Sequence, residues 1–177
     1  MTFNRDKFKS LVHYICWRCS DDPSRLGAVK LNKILWASDF VAYYEQGSPI
    51  TGAGYVKRQY GPVPRAIVPI LRELEHDRVL IARDTRFHGF LKKEFTVLRD
   101  PDTTAFSASE MEIVDKAIKI ICEEHTARSI SARSHDYIWQ VAEDGEEIPY
   151  FTIFAIPGEI TDDEREWARQ ELESLAA

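Results

Sequence analysis

Four consecutive residues, Gly61-Pro62-Val63-Pro64, restrict this chain more than any other feature. Proline fixes φ and has no N–H to donate, so two prolines one residue apart dictate a rigid corner. Before the corner, Leu31-Asn32-Lys33-Ile34-Leu35-Trp36-Ala37-Ser38-Asp39-Phe40 reads as an aromatic helix. Ile50-Thr51-Gly52 follows as a turn, and residues 55–60 as a short basic strand. After it, Ile67, Leu71 and Leu74 recur at helical spacing. Pro64 suits the first turn of that helix, where its missing N–H costs nothing. Pro69 predicts either a kink or a regular helix that begins only there.

The remaining elements follow from periodicity and caps. Phe8, Leu11, Val12, Ile15 and Cys19 predict a first helix over residues 4–19. A second covers 29–46, with Gly47 as its C-terminal cap. Residues 79–82 and 90–98 read as strands, with 84–89 as their hairpin loop. Ser107 and Glu110 form a capping box that opens a helix to about residue 124. Short helices are expected over 129–133 and 136–142, with Ser134 as an N-cap, and residues 148–156 look extended. Thr161 and Glu164 form a second capping box, opening an acidic C-terminal helix within 156–177. The expected fold class is mainly α (α+β): one helical domain over 1–177, with a small central antiparallel sheet.

Composition narrows the function. At 177 residues, 44% hydrophobic and 29% charged, the chain is long enough for a substantial core and is not a disordered sequence. No run reaches the length of a membrane helix and the N-terminus is not a signal peptide, so a cytoplasmic protein is expected, with no membrane partner. The net charge of −6 is uneven: residues 55–99 carry +5 and residues 140–177 carry −9. The basic middle suits an anionic partner, or the two halves simply face each other or water.

Catalytic chemistry is weakly supported. Ser134-His135-Asp136 are consecutive, whereas a nucleophilic triad is assembled in space. Gly52-x-Gly54 lacks the rest of a phosphate loop. Cys16 and Cys19, with His13 nearby, form a Cys-x-x-Cys without a second ligand pair, so small buried helix residues are the favoured reading. No metal, no cofactor and no enzyme activity is expected. Asp39, flanked by Trp36, Phe40 and Tyr43, should be partly buried and therefore needs a partner, with Arg58 or Lys57 the nearest cations on the following strand. Tyr43, Tyr44, Tyr55 and Tyr60 form either an aromatic binding surface or part of the core.

Two binding readings compete. Helix, turn, helix and hairpin outline a winged helix, with residues 64–77 as recognition helix and 79–98 as wing. Arg65 and Arg72, two turns apart, would then share a face toward DNA. The same middle segment also resembles a family. The run from Lys30 to Phe40, then Ile50-Thr51-Gly52, Tyr55-Val56-Lys57 and Gly61-Pro62-Val63-Pro64 is similar to the Panacea domain of SocA-like antitoxins, also called a phage-associated domain. Ser134-His135-Asp136, Trp139 and residues 145–149 extend the resemblance to about 5–155. Trp36 stands where tyrosine is more usual in that family. The resemblance implies a helical domain that neutralises a cognate toxin by direct binding, and, on the SocA pattern, delivery of that toxin to a bacterial protease. It also marks Asp39, Gly52, Gly61, Pro62, Pro64, His135 and Trp139 as structural motif residues. Arg58, Tyr60, Arg65 and Arg72 are the candidate partner-binding residues. A DNA-binding regulator is the alternative.

Overall fold

A computed structural model describes residues 1–87 and 90–155. Helix α1 (Arg5–Arg18) starts at Asn4, whose side chain accepts from the Lys7 N–H at 3.0 Å. Helix α2 (Ala28–Gln46) ends where Gly47 adopts φ 73° and donates to Tyr43 O. Strands β1 (Tyr55–Val56) and β2 (Val63–Pro64) form a small antiparallel hairpin. Helix α3 (Ile67–His76) leads into a longer hairpin, β3 (Leu80–Phe87) with β4 (Phe90–Val97). Helix α4 (Ala108–Lys119) opens with the Ser107–Glu110 capping box and runs on into a π turn, Ile120–Glu124. Two short helices follow, α5 (Ala127–Arg133) and α6 (Tyr137–Val141), and then a 3-10 turn, Tyr150–Phe154.

The mainly helical class with small antiparallel sheets is as expected. Helix α2 is its axis. It touches α1, α4, α5, β2, β4 and the 3-10 turn. Leu31, Ile34, Leu35, Phe40 and Ala42 of α2 are buried, and so are Lys30, Lys33, Ser38 and Asp39. A helix enclosed on most sides is apolar nearly all round, and any polar group on it must find a partner inside the protein.

Several local expectations need correction. The strand expected over 55–60 stops at Val56, because residues 58–61 close a tight turn through Gly61 N–H to Arg58 O, 2.8 Å, and Arg58 N–H to Gly61 O. Pro64 does not open α3. It belongs to β2, opposite Tyr55, and the helix begins at Ile67. Pro69 then falls in the first turn, where its N–H would have no helical partner, so no kink is needed. The helix–tight turn–helix of the winged-helix outline is therefore absent before α3: the β1–β2 hairpin stands there instead. Arg65 lies outside α3, so it shares no helix face with Arg72. The loop placed at 84–89 is largely strand, since β3 continues to Phe87. Ser134 caps the C-terminus of α5, and Asp136 is the N-cap of α6. Residues 150–154 are a 3-10 turn rather than extended. The helix expected from Thr161 lies outside the described residues.

Gly61 and Gly47 give a paired test. Both have positive φ, but a Cβ on Gly47 meets nothing within 4 Å, whereas one on Gly61 lies 2.6 Å from Lys33 Nζ and closer still to Ser134 Oγ. Gly47→Ala should cost about 1 kcal/mol, from backbone strain alone. Gly61→Ala should cost more, on the order of 2–4 kcal/mol, because two buried polar side chains must also move. Urea unfolding of the two variants measures the difference.

Candidate functional site

Asp39 is completely buried, and among the described residues no cation pairs with it. Its carboxylate accepts from the Thr51 N–H at 2.7 Å, the Thr51 hydroxyl at 2.6 Å and the Tyr55 hydroxyl at 2.8 Å. The Tyr150 hydroxyl donates to Ala53 O at 2.6 Å, and its oxygen stands 3.4 Å from the same carboxylate. This overturns the expected ion pair. Arg58 pairs instead with Asp144 at 2.9 Å, and Lys57 donates to Ala142 O at 2.9 Å. Burial holds the Asp39 pKa above the ordinary carboxylate value, and the neutral donors offset only part of that rise. Gly52, next to Thr51, has φ 71°, and a Cβ there would lie 2.8 Å from Thr2 O. Thr51 O in turn accepts from the Asn4 N–H, so the turn that serves Asp39 also anchors the N-terminus.

The second buried charge was missed by sequence reasoning. Lys33, within α2, is 1% exposed and donates to Pro62 O at 3.0 Å. Its pKa is pushed down to about 7 by burial. The available signal was position: Lys33 lies between Leu31 and Ile34 in a helix with apolar residues on every turn. Lys30, one turn earlier, donates to Cys122 O at 3.2 Å and is likewise lowered by burial.

Gly61, Pro62, His135 and Trp139, expected as motif residues, cluster around Lys33 and its hairpin. Gly61 lies against Lys33 and Ser134, and Pro62 supplies the carbonyl. His135 stacks on Trp139 with centroids 3.5 Å apart and planes at 4°. Trp139 donates from Nε1 to Arg58 O at 3.1 Å, and Lys57 Nζ stands 4.2 Å from the centre of its ring. Residues 145–148 run beside β1, with Gly145 N–H bonded to Lys57 O and Ile148 N–H to Tyr55 O.

The candidate contact residues fall on different elements. Arg58 and Tyr60 occupy the β1–β2 turn, and Tyr60 is 57% exposed. Arg65 follows β2 and lies 3.6 Å from Glu147. Arg72 is exposed on α3. The acidic side of α3 faces α1, where Arg5 pairs with Glu73 and Lys9 with Asp77 at 2.6 Å. The four tyrosines divide as well. Tyr55 is core, while Tyr43 and Tyr44 pack on Phe154. Cys16 and Cys19 are both buried, and the near neighbour of Cys19 is the Cys122 sulfur, at 3.9 Å.

A groove of about 340 Å³ lies between α2, the end of α4 and α5, with Lys33, Trp36, Val41, Ala117, Ile120 and Ser134 among its lining. A larger depression, about 770 Å³, contains charges already paired with each other, such as Arg18 with Asp115 and Arg25 with Asp21.

A family model described as "Antitoxin SocA-like, Panacea domain" matches residues 31–140, more than half of the chain. The protein belongs to this family. The match begins in α2 and ends in α6, so it takes in Lys33, Asp39, the proline corner and the His135–Trp139 stack. No curated protein and no solved structure gives a significant match.

Two substitutions test the buried charges. Asp39→Ala leaves the Thr51 N–H and the Tyr55 hydroxyl without an acceptor and should lower stability by about 2–4 kcal/mol in denaturant unfolding. Lys33 gives a pH signature. Its folded pKa, about 7, lies below the unfolded value of 10.5. Between these values the unfolded chain holds a proton that the folded chain has released, so stability from this residue rises with pH. The slope should approach about 1.4 kcal/mol per pH unit at most. In Lys33→Met that component should vanish, as read from unfolding curves across this range.

Proposed function

We propose that this protein is an antitoxin that neutralises a cognate toxin in the cytoplasm by direct protein–protein binding. The observation that carries the reading is the family match over residues 31–140. The internal chemistry supports a binding role over a catalytic one. Asp39 is consumed by Thr51 and Tyr55, and its work is to fasten α2 to the turn and to β1. The Ser134 hydroxyl donates to Ser131 O within its own helix turn. The His135 ring is stacked on Trp139.

The contact surface proposed first is the tip of the β1–β2 hairpin. Arg58 and Tyr60 project there, and Arg65 lies beside it. The tip is held rigid: the Ser131 hydroxyl donates to Tyr60 O at 2.8 Å, and Gly61 is wedged against Lys33. A rigid, exposed aromatic flanked by arginines has the character of an interface anchor. Arg72 on α3 is the fourth candidate.

Co-expression with the neighbouring gene tests the reading. Growth should be rescued, and the two proteins should elute together in size-exclusion chromatography. A harmless neighbour, or rescue with no complex, would refute it. Within the complex, Tyr60→Ala should speed dissociation. The combined change of Arg58, Arg65 and Arg72 to alanine should slow association by roughly tenfold at low salt. Surface plasmon resonance separates the two effects.

A further inference from the structure

We propose that the groove between α2, the end of α4 and α5 recognises a carboxylate carried on an apolar body, and that its occupant is an acidic side chain on an apolar segment of the toxin. The identity of the occupant rests on the antitoxin reading; the chemistry of the site does not.

Two residues of the lining, Lys33 and Trp36, carry buried donors with unfilled capacity. An ammonium carries three N–H groups. Lys33 uses one of them, toward Pro62 O, and among the described residues no carboxylate lies within ion-pair distance. Trp36, three residues on along α2, has a buried Nε1 with no hydrogen-bond partner among the described residues. Both side chains line the groove. A buried charge and a buried N–H left short of acceptors are costly, and each would gain from an entering anion.

The rest of the lining selects the anion's body. The walls are mostly aliphatic, and toward solvent they end at Val41 and Ile120, which are 36% and 45% exposed. A strongly hydrated inorganic anion would lose its water against such walls without recompense, whereas an apolar group would be buried favourably. Around this lining stand the cations Lys116 and Arg133 and one acid, Glu45. Lys116 is itself paired with Glu112 on the outer side of α4. The volume of about 340 Å³ takes one or two side chains, not a whole helix. The apolar surface continues from Val41 to Tyr44, which is 61% exposed and packs on Phe154. A protein segment can cover that extension while its acidic side chain reaches Lys33.

Lys33 is near its midpoint at neutral pH. A bound carboxylate would favour its charged form, so binding should take up a proton and weaken as pH rises.

Octanoate is the probe, because it joins a carboxylate to an aliphatic chain; 1-octanol is the neutral control. The full chain is titrated by calorimetry at about pH 6 and about pH 9, with the tryptophan indole N–H signals followed by NMR and Trp36 assigned through Trp36→Phe. Saturable octanoate binding that shifts the Trp36 indole is expected. Affinity should fall by roughly tenfold or more at the higher pH, and equally in Lys33→Met. Because Lys33 is buried, a second variant guards against a folding defect: Ile120→Asp places a negative charge at the exposed mouth and should also weaken octanoate. Equal binding of octanol, or unchanged octanoate affinity in folded Lys33→Met, overturns the site. The occupant is tested on the co-purified complex, which excess octanoate should dissociate. A complex indifferent to octanoate and to Ile120→Asp overturns the toxin segment as occupant while leaving the antitoxin reading standing.

Discussion

The structure depends on how one buried carboxylate is satisfied. Asp39 sits in the middle of α2 with no cation beside it among the described residues, and its carboxyl group is held by the Thr51 N–H and the hydroxyls of Thr51 and Tyr55. These donors come from the 51–55 segment, and Tyr150, beyond α6, packs its hydroxyl against the same carboxylate. One side chain therefore fixes where the chain re-enters after α2 and how β1 lies on it. Because β1 also binds residues 145–148, the C-terminal part of the described chain takes its position from the same hub. Neutral donors offset less of the desolvation cost than a cation would, yet they require no second buried charge.

A central helix enclosed on most sides has a consequence for function. Side chains that would point to solvent on a surface helix are forced inward on α2, and Lys33 is the clearest case. The β1–β2 hairpin brings Pro62 O to its ammonium, while Gly61 leaves room for it and for Ser134. The corner thus does more than turn the chain. Its lack of side-chain volume at Gly61 and the carbonyl of Pro62, which accepts from Lys33, shape the environment of a titratable group. The Lys57–Trp139–His135 stack closes the other side of the hairpin.

Caps and turns were legible in the sequence. The Ser107–Glu110 box and Gly47 act within a few residues of themselves, and each functions in the structure as its chemistry requires. Pro64 was misplaced because proline suits a helix start and a strand end equally well by local criteria. Only the pairing of Val56 with Val63 decides between them. Ser134 was misassigned for a similar reason: both it and Asp136 are good N-caps, and the point at which α5 stops selects Asp136.

The burial of Asp39 was expected from its aromatic neighbours, but its partners were not. Arg58 and Lys57 are close in sequence, yet β1 ends at Val56 and turns them outward, toward Asp144 and the α6 carbonyls. By itself the sequence determined the approximate positions of the main helices, the caps at Gly47 and Ser107–Glu110, the rigid corner and the family. Those follow from short-range dihedral and hydrogen-bond preferences, or from residue patterns along the chain. Tertiary structure alone decided that three neutral donors hold Asp39 and that Lys33 is buried beside Trp36 in an apolar groove. Such pairings join residues as far apart as Asp39 and Tyr150, and they are set by which surfaces pack together rather than by any local preference.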